Sequence, residues 1–128
     1  MRLLDTSIAV EILRGNQRAK EAATKRQFCV SWITMGELLA GAYWSSFTTE
    51  NLTGIARLCD GIDVVYPDEA TCDRYGRIWA VLAKAGTPLP LNDVWQAALA
   101  IQRDMILIAH DKHLEQIGGL KIEDWLAS

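Results

Sequence analysis

Short, almost uninterrupted apolar runs alternate along this chain with longer segments whose apolar residues recur at helical spacing, and few folds accommodate that alternation. Arg2 to Leu4 form a first short strand that stops at Asp5, after which Thr6 and Ser7 offer helix-starting hydroxyls. Ile8, Ala9, Ile12 and Leu13 mark the stripe of a helix, Gly15-Asn16 stops it, and a polar helix follows across Arg18 to Arg26. Phe28 to Ile33 reads as a buried second strand ended by Thr34, with Met35, Leu38, Leu39, Ala42 and Tyr43 at helical spacing behind it. Leu52, Ile55, Ala56 and Cys59 give another stripe, closed by Gly61, and Ile62 to Tyr66 is a β-branched third strand bounded by Pro67. Tyr75, Ile78, Trp79, Leu82 and Ala83 then define a helix, while Gly86, Pro88 and Pro90 impose an irregular link. Val94, Ala97, Ala98 and Ile101 mark the next helix, Met105 to Ala109 a fourth strand, and Lys121 to Ile122 a short final one.

Strands separated by helices require crossover connections, which are right-handed and place the strands parallel. Helices on both faces explain why the strand runs are continuously apolar rather than alternating. The expectation is an α/β fold, a three-layer α/β/α sandwich around a mainly parallel sheet of four or five strands, formed by residues 1–128 as one domain.

Half the residues are hydrophobic and 23% are charged, a globular balance rather than a disordered one. Cys29, Cys59 and Cys72 include no C-x-x-C pair, and Cys29 reads as a small buried hydrophobe, which fits a reducing compartment. No leader precedes the first strand and no apolar run nears the roughly 18 residues of a membrane span, so a soluble cytoplasmic protein is expected. A formal charge of −3 opposes binding to phosphates. Setting four particular acids aside, however, leaves a slightly positive remainder, with Arg14, Arg18, Lys20, Lys25 and Arg26 concentrated in one stretch. That stretch is either a solvated helix face, the reading favoured here, or a phosphate-facing patch.

The four acids are Asp5, Glu37, Asp93 and Asp111, each placed where a strand or loop hands over to a helix. In an open parallel sheet ligands collect beyond the carboxyl ends of the strands, so acids distant in sequence can meet there. Carboxylates sharing a pocket repel one another unless a cation compensates them, and an all-oxygen donor set suits Mg2+ or Mn2+. Each acid also has a local alternative. Asp5 and Asp111 can cap the helical segments they precede, and Thr34 with Glu37 matches a capping box. Asn92 can cap the helix after Asp93, which frees Asp93 from that duty, while Gly36, Ala40 and Gly41 leave room near Glu37.

His110 and His113, without a third nitrogen or sulfur ligand, do not make a zinc site and read as surface residues or as partners of an acid. The five tryptophans mostly follow apolar stripes and read as core. Phosphate-binding glycine loops of the G-x-x-x-x-G-K-[ST] and G-x-G-x-x-G types and the G-x-S-x-G nucleophile elbow are absent.

Leu3-Leu4-Asp5-Thr6-Ser7, Ser31 to Leu38 with Gly41, Asn92 to Ala98, Asp111-Lys112-His113-Leu114 and the segment Gly119 to Trp125 together resemble PIN-domain nucleases, specifically the VapC toxins of toxin–antitoxin pairs. The resemblance spans nearly the whole chain. It implies a PIN-like fold, an acidic metal pocket formed by Asp5, Glu37, Asp93 and Asp111 with Thr6 or Ser7 as hydroxyl partner, and metal-dependent cleavage of RNA that leaves a 5′ phosphate. It also implies a homodimer restrained by a cognate antitoxin. Two positions depart from the pattern: Ala109 stands where a hydroxyl residue is usual before the last acid, and Gln96 replaces an aliphatic residue.

The expected chemistry is attack of a metal-activated water on an RNA phosphodiester, with Asp5 and Asp93 holding the principal ion and Glu37 and Asp111 completing the pocket. One rival is a PIN-like binding module for an antitoxin peptide or RNA, its chemistry impaired by changes such as Ala109. A second is a receiver-like signalling domain with Asp68 as phosphoacceptor.

Overall fold

A computed structural model describes residues 1–127 of the chain. The elements run β1 (Arg2–Leu4), α1 (Thr6–Leu13), α2 (Gln17–Lys25), β2 (Phe28–Ser31), α3 (Trp32–Trp44), α4 (Thr48–Leu58), β3 (Val64–Val65), α5 (Glu69–Lys84), α6 (Leu91–Gln102), β4 (Ile106–Ile108), a 3-10 turn (Lys112–Gln116) and β5 (Ile122–Glu123). The five strands form one sheet in the order β3-β2-β1-β4-β5, and every neighbouring pair is parallel. The chain leaves β1 toward one edge, builds β2 and β3, and then crosses back to place β4 on the other side of β1. Strand order therefore reverses at β1, which puts a crevice at its carboxyl end.

The pleat divides the apolar residues of each strand between two cores. Leu3, Cys29, Val65 and Leu107 pack with α5 and α6, through Ile78, Leu82, Val94, Ala97 and Ala98 among others. Leu4, Phe28, Val30 and Ile108 face the opposite side, against Ile8 and Ala9 of α1, Leu38 and Ala42 of α3 and Ile55 of α4. Strands buried on both faces carry no solvated side, which accounts for their unbroken apolar sequences.

Element boundaries differ from expectation where side-chain caps override hydrophobicity. The second strand ends at Ser31 rather than Ile33, because the Ser31 hydroxyl accepts the Thr34 amide at 3.2 Å and starts α3 at Trp32. Thr34 is thus already in the first turn, and the anticipated Thr34–Glu37 capping box does not form. A capping box does occur at α5, where Asp68 and Thr71 satisfy each other's amides. Pro90, not Asn92, precedes the first residue of α6, and its carbonyl accepts the Val94 amide at 3.2 Å. The third strand shortens from the expected 62–66 to Val64–Val65, and the last is Ile122–Glu123. Tryptophan burial is uneven: Trp125 is buried, Trp32 and Trp95 are half-buried, and Trp44 is 93% exposed, contrary to a uniform core role. Among the described residues no helix is long and apolar enough to cross a membrane.

Candidate functional site at the carboxyl end of the sheet

Asp5 follows the last residue of β1, and its amide donates to Ile108 O of β4 at 2.9 Å, so the backbone there is held between the central strands. The residue occupies the N-cap position of α1, yet its side chain makes no capping hydrogen bond. Its Oδ2 instead accepts the Ser7 hydroxyl at 2.9 Å. Burial raises the pKa of Asp5, the nearby Glu37 charge adds to the rise, and the Ser7 hydroxyl with the adjacent amides opposes it.

Asp93 lies in the first turn of α6, where the free amides of a helix favour a negative charge. The surroundings outweigh that preference. Desolvation first, and then the charges of Asp5, Asp111 and Glu37, push its pKa up to about 6. Asp93 is thus the residue at which all three other acids are felt.

Glu37 stands on α3 beyond the first turn, exposed, and its Oε1 accepts the Thr6 hydroxyl at 2.9 Å. It lines a groove with Leu13 of α1 and Arg14 just after it, Gly41 of α3 and Gly54 and Ile55 of α4. A side chain at Gly41 would meet only open space, consistent with an accessible groove rather than close helix packing. A separate apolar pocket beside Ile78, Val81, Leu82, Ile101 and Ile117 contains none of the four acids.

Asp111 does perform the capping role that was its alternative reading. Its Oδ1 accepts the His113 amide at 2.9 Å and lies 2.8 Å from His113 Nδ1. These bonds hold its pKa below the usual carboxylate range, opposite in direction to Asp93. Ala109 is buried in the α5–α6 core and offers no hydroxyl, so the restraint on Asp111 comes from His113. His110 pairs elsewhere, with Asp124 at 2.8 Å.

Among the described residues, no three His, Cys, Asp or Glu side chains stand close enough to hold an ion between them, although Asp93 registers the charge of three carboxylates. The two observations are compatible, since uncompensated like charges separate until something positive draws them in. The donor set itself, four carboxylates, two of them held by hydroxyls, with no thiolate among them, fits a hard divalent cation.

Thr34 and Gln96 are site neighbours that sequence reasoning did not place. Thr34 Oγ1 is buried between Leu4 O, Thr6 Oγ1 and Gln96 Nε2, at 3.3, 3.0 and 2.7 Å. The available signal was a polar Gln96 inside the apolar stretch Val94 to Leu99, one helical turn after Asp93. Asp68 is committed to Thr71 and Gln102 at the start of α5, which removes the basis for a receiver-like phosphoacceptor. Of the basic stretch, Arg14 pairs with Glu11 and Arg26 with Glu123, while Arg18, Lys20 and Lys25 are exposed.

Residues 2–120 match the PIN domain family. Ribonuclease VapC1 of Haemophilus influenzae is 30% identical over 129 residues, covering 96% of both chains. The tRNA(fMet)-specific endonuclease VapC of Shigella flexneri is 32% identical over 131 residues, again covering 96% of each. A chain of DNA-bound VapBC from Salmonella typhimurium superposes with a TM-score of 0.91 at 28% identity, covering 97% of both chains. A chain of VapBC-1 from nontypeable Haemophilus influenzae does so with a TM-score of 0.89 at 30% identity, covering 98% of both. Sheet order, the crevice at β1 and these likenesses agree, and the chain belongs to the PIN-domain family as a relative of the VapC ribonucleases.

Proposed function

We propose that this chain is a metal-dependent endoribonuclease, the toxin of a toxin–antitoxin pair, in which residues 1–128 act as a single cytoplasmic nuclease domain. The observation that carries the reading is the response of Asp93, whose pKa rises to about 6 through burial and the charges of Asp5, Asp111 and Glu37. Four acids from β1, α3, α6 and the turn after β4 thereby act on one point in a relative of the VapC ribonucleases.

Asp5 and Asp93 would hold Mg2+ or Mn2+, with Glu37 and Asp111 completing the set directly or through water. A bound divalent ion supplies Lewis acidity toward a phosphodiester oxygen and lowers the pKa of an attacking water. The residues do the positioning: Ser7 fixes one oxygen of Asp5, Thr6 fixes one oxygen of Glu37 and His113 fixes one oxygen of Asp111. Asp93, without such a partner among the described residues, is the carboxylate whose charge most needs compensation. The substrate is RNA, as the ribonuclease relatives support, and a cognate antitoxin is the restraining partner, as the VapBC likenesses support; the functional unit would be a homodimer.

The test is cleavage of structured and unstructured RNAs by nuclease-free preparations of parent and Asp5→Asn, with Mg2+, Mn2+ or chelator. Cleavage by the parent that stops on chelation and in Asp5→Asn is expected. Equal cleavage by both proteins would exclude Asp5 from the reaction, and partner or RNA binding without any cleavage would favour the binding-module rival.

A further inference from the structure

We infer that Gln96 is a positioning residue that orients the Glu37 carboxylate through a one-way relay of two threonine hydroxyls, the buried one of Thr34 and the half-buried one of Thr6. The inference rests on the ribonuclease reading only for its catalytic consequence; the relay itself is a matter of geometry. Gln96 is 1% exposed and its Nε2 lies 2.7 Å from Thr34 Oγ1. Thr34 Oγ1 lies 3.0 Å from Thr6 Oγ1, and Thr6 Oγ1 lies 2.9 Å from Glu37 Oε1.

Proton counting fixes the direction. An ionised carboxylate only accepts, so the single Thr6 proton points at Glu37. The contact between the two threonines then needs the Thr34 proton, with Leu4 O at 3.3 Å as a second, longer acceptor. Thr34 has no further proton to give, so Gln96 must present its amide N–H and not its carbonyl. With the amide reversed, both threonine protons would be directed outward and two oxygens would face each other at 3.0 Å with nothing between them.

The other end of the Gln96 amide shows what this arrangement involves. Gln96 Oε1 is buried and has no hydrogen-bond partner among the described residues. An aliphatic side chain would fill the same space without stranding an acceptor, so the glutamine is set apart by its one donated N–H. The connection also joins two candidate ligands. Gln96 sits one turn along α6 from Asp93 and reaches Glu37 across α3 and α1, so α6 places one acid directly and restrains a second.

The experiment uses the full chain with Gln96→Met, which keeps volume and burial but lacks the donor, and the pair Thr34→Val and Thr34→Ser. In metal-free protein, three-bond couplings to the threonine methyl carbons should show single rotamers for Thr6 and Thr34 in the parent and averaging in Gln96→Met. Mn2+ affinity, read by electron paramagnetic resonance, should weaken about tenfold in Gln96→Met and Thr34→Val, with Thr34→Ser recovering it, the scale typical of lost partners behind a metal ligand. On RNA, kcat should fall while KM holds. Added to Thr6→Val, which cuts the last connection, Gln96→Met should change Mn2+ affinity by less than about twofold, because both act through the same path. Unchanged rotamers and Mn2+ affinity in folded Gln96→Met, or losses that multiply with Thr6→Val, would overturn the relay. Absence of RNA cleavage by the parent with Mg2+ or Mn2+ would instead reject the ribonuclease reading, while the rotamers and Mn2+ affinity still decide the relay.

Discussion

Among the carboxylates around Asp93, Asp5 exerts the largest charge effect on it, although one ends the first strand and the other lies in the first turn of α6. Only burial contributes more to raising the Asp93 pKa to about 6. That coupling makes ion binding a proton-releasing event. Mn2+ affinity should be level above pH 7 and fall roughly tenfold per pH unit well below the Asp93 pKa, as expected when one ligand must lose its proton. Raising Mn2+ should move the acid limb of RNA cleavage to lower pH, because the ion competes with the proton. Calorimetric titrations at several pH values check this, and affinity independent of pH between 5 and 7.5 would contradict it.

The same shift governs stability. The folded pKa of Asp93 exceeds the ordinary 3.8, so the native state binds more protons than the unfolded chain between 3.8 and about 6. Its contribution to stability therefore declines as pH rises through that window. Asp93→Asn should raise the melting temperature of metal-free protein by a few degrees at pH 7.5 and have little effect at pH 4, while abolishing RNA cleavage. Differential scanning calorimetry at the two pH values provides the comparison; a lower melting point at pH 7.5 would mean that the Asp93 charge is already compensated within the fold.

His113 restrains Asp111 through both its amide and its imidazole, and only the imidazole can be removed by substitution. His113→Ala should leave the 3-10 turn in place and weaken Mn2+ affinity or kcat by about tenfold, the usual scale for a lost partner of a ligand. Since Ala109 supplies no hydroxyl, Ala109→Ser in the His113→Ala background should recover part of that loss. No change in His113→Ala would show that the amide alone is sufficient.

Ser31 converts the end of β2 into the start of α3, the helix that carries Glu37. Ser31→Ala should cost about 1 kcal/mol of unfolding free energy, the typical value of a lost N-cap. Urea denaturation measures it, and a loss below about 0.3 kcal/mol would mean that the Thr34 amide finds another acceptor.

Much of this architecture was readable in the order of residues. The apolar runs at Leu3-Leu4, Cys29-Val30 and Leu107-Ile108 had to be strands covered on both sides, since no polar residue alternates with them, and covered parallel strands demand intervening helices. The four acids stood out because each sits at a strand exit or helix entrance. Helix starts were less legible, because several residues compete for each: the Ser31 hydroxyl displaced Thr34, and α6 begins after Pro90 with no side-chain cap, not behind Asn92.

The chain order alone thus determined a doubly covered parallel sheet and named the acids at its carboxyl end, because hydrophobic period and strand-end position are local properties. Only the tertiary structure decided that Asp93 bears the charge of all three others, that His113 rather than a hydroxyl restrains Asp111, and that Gln96 faces Thr34. Those relationships depend on the reversal of strand order at β1, which brings distant segments side by side. Hydrogen-bond energies fall off within a few ångströms and screened Coulombic ones within about ten, and both are blind to separation along the chain.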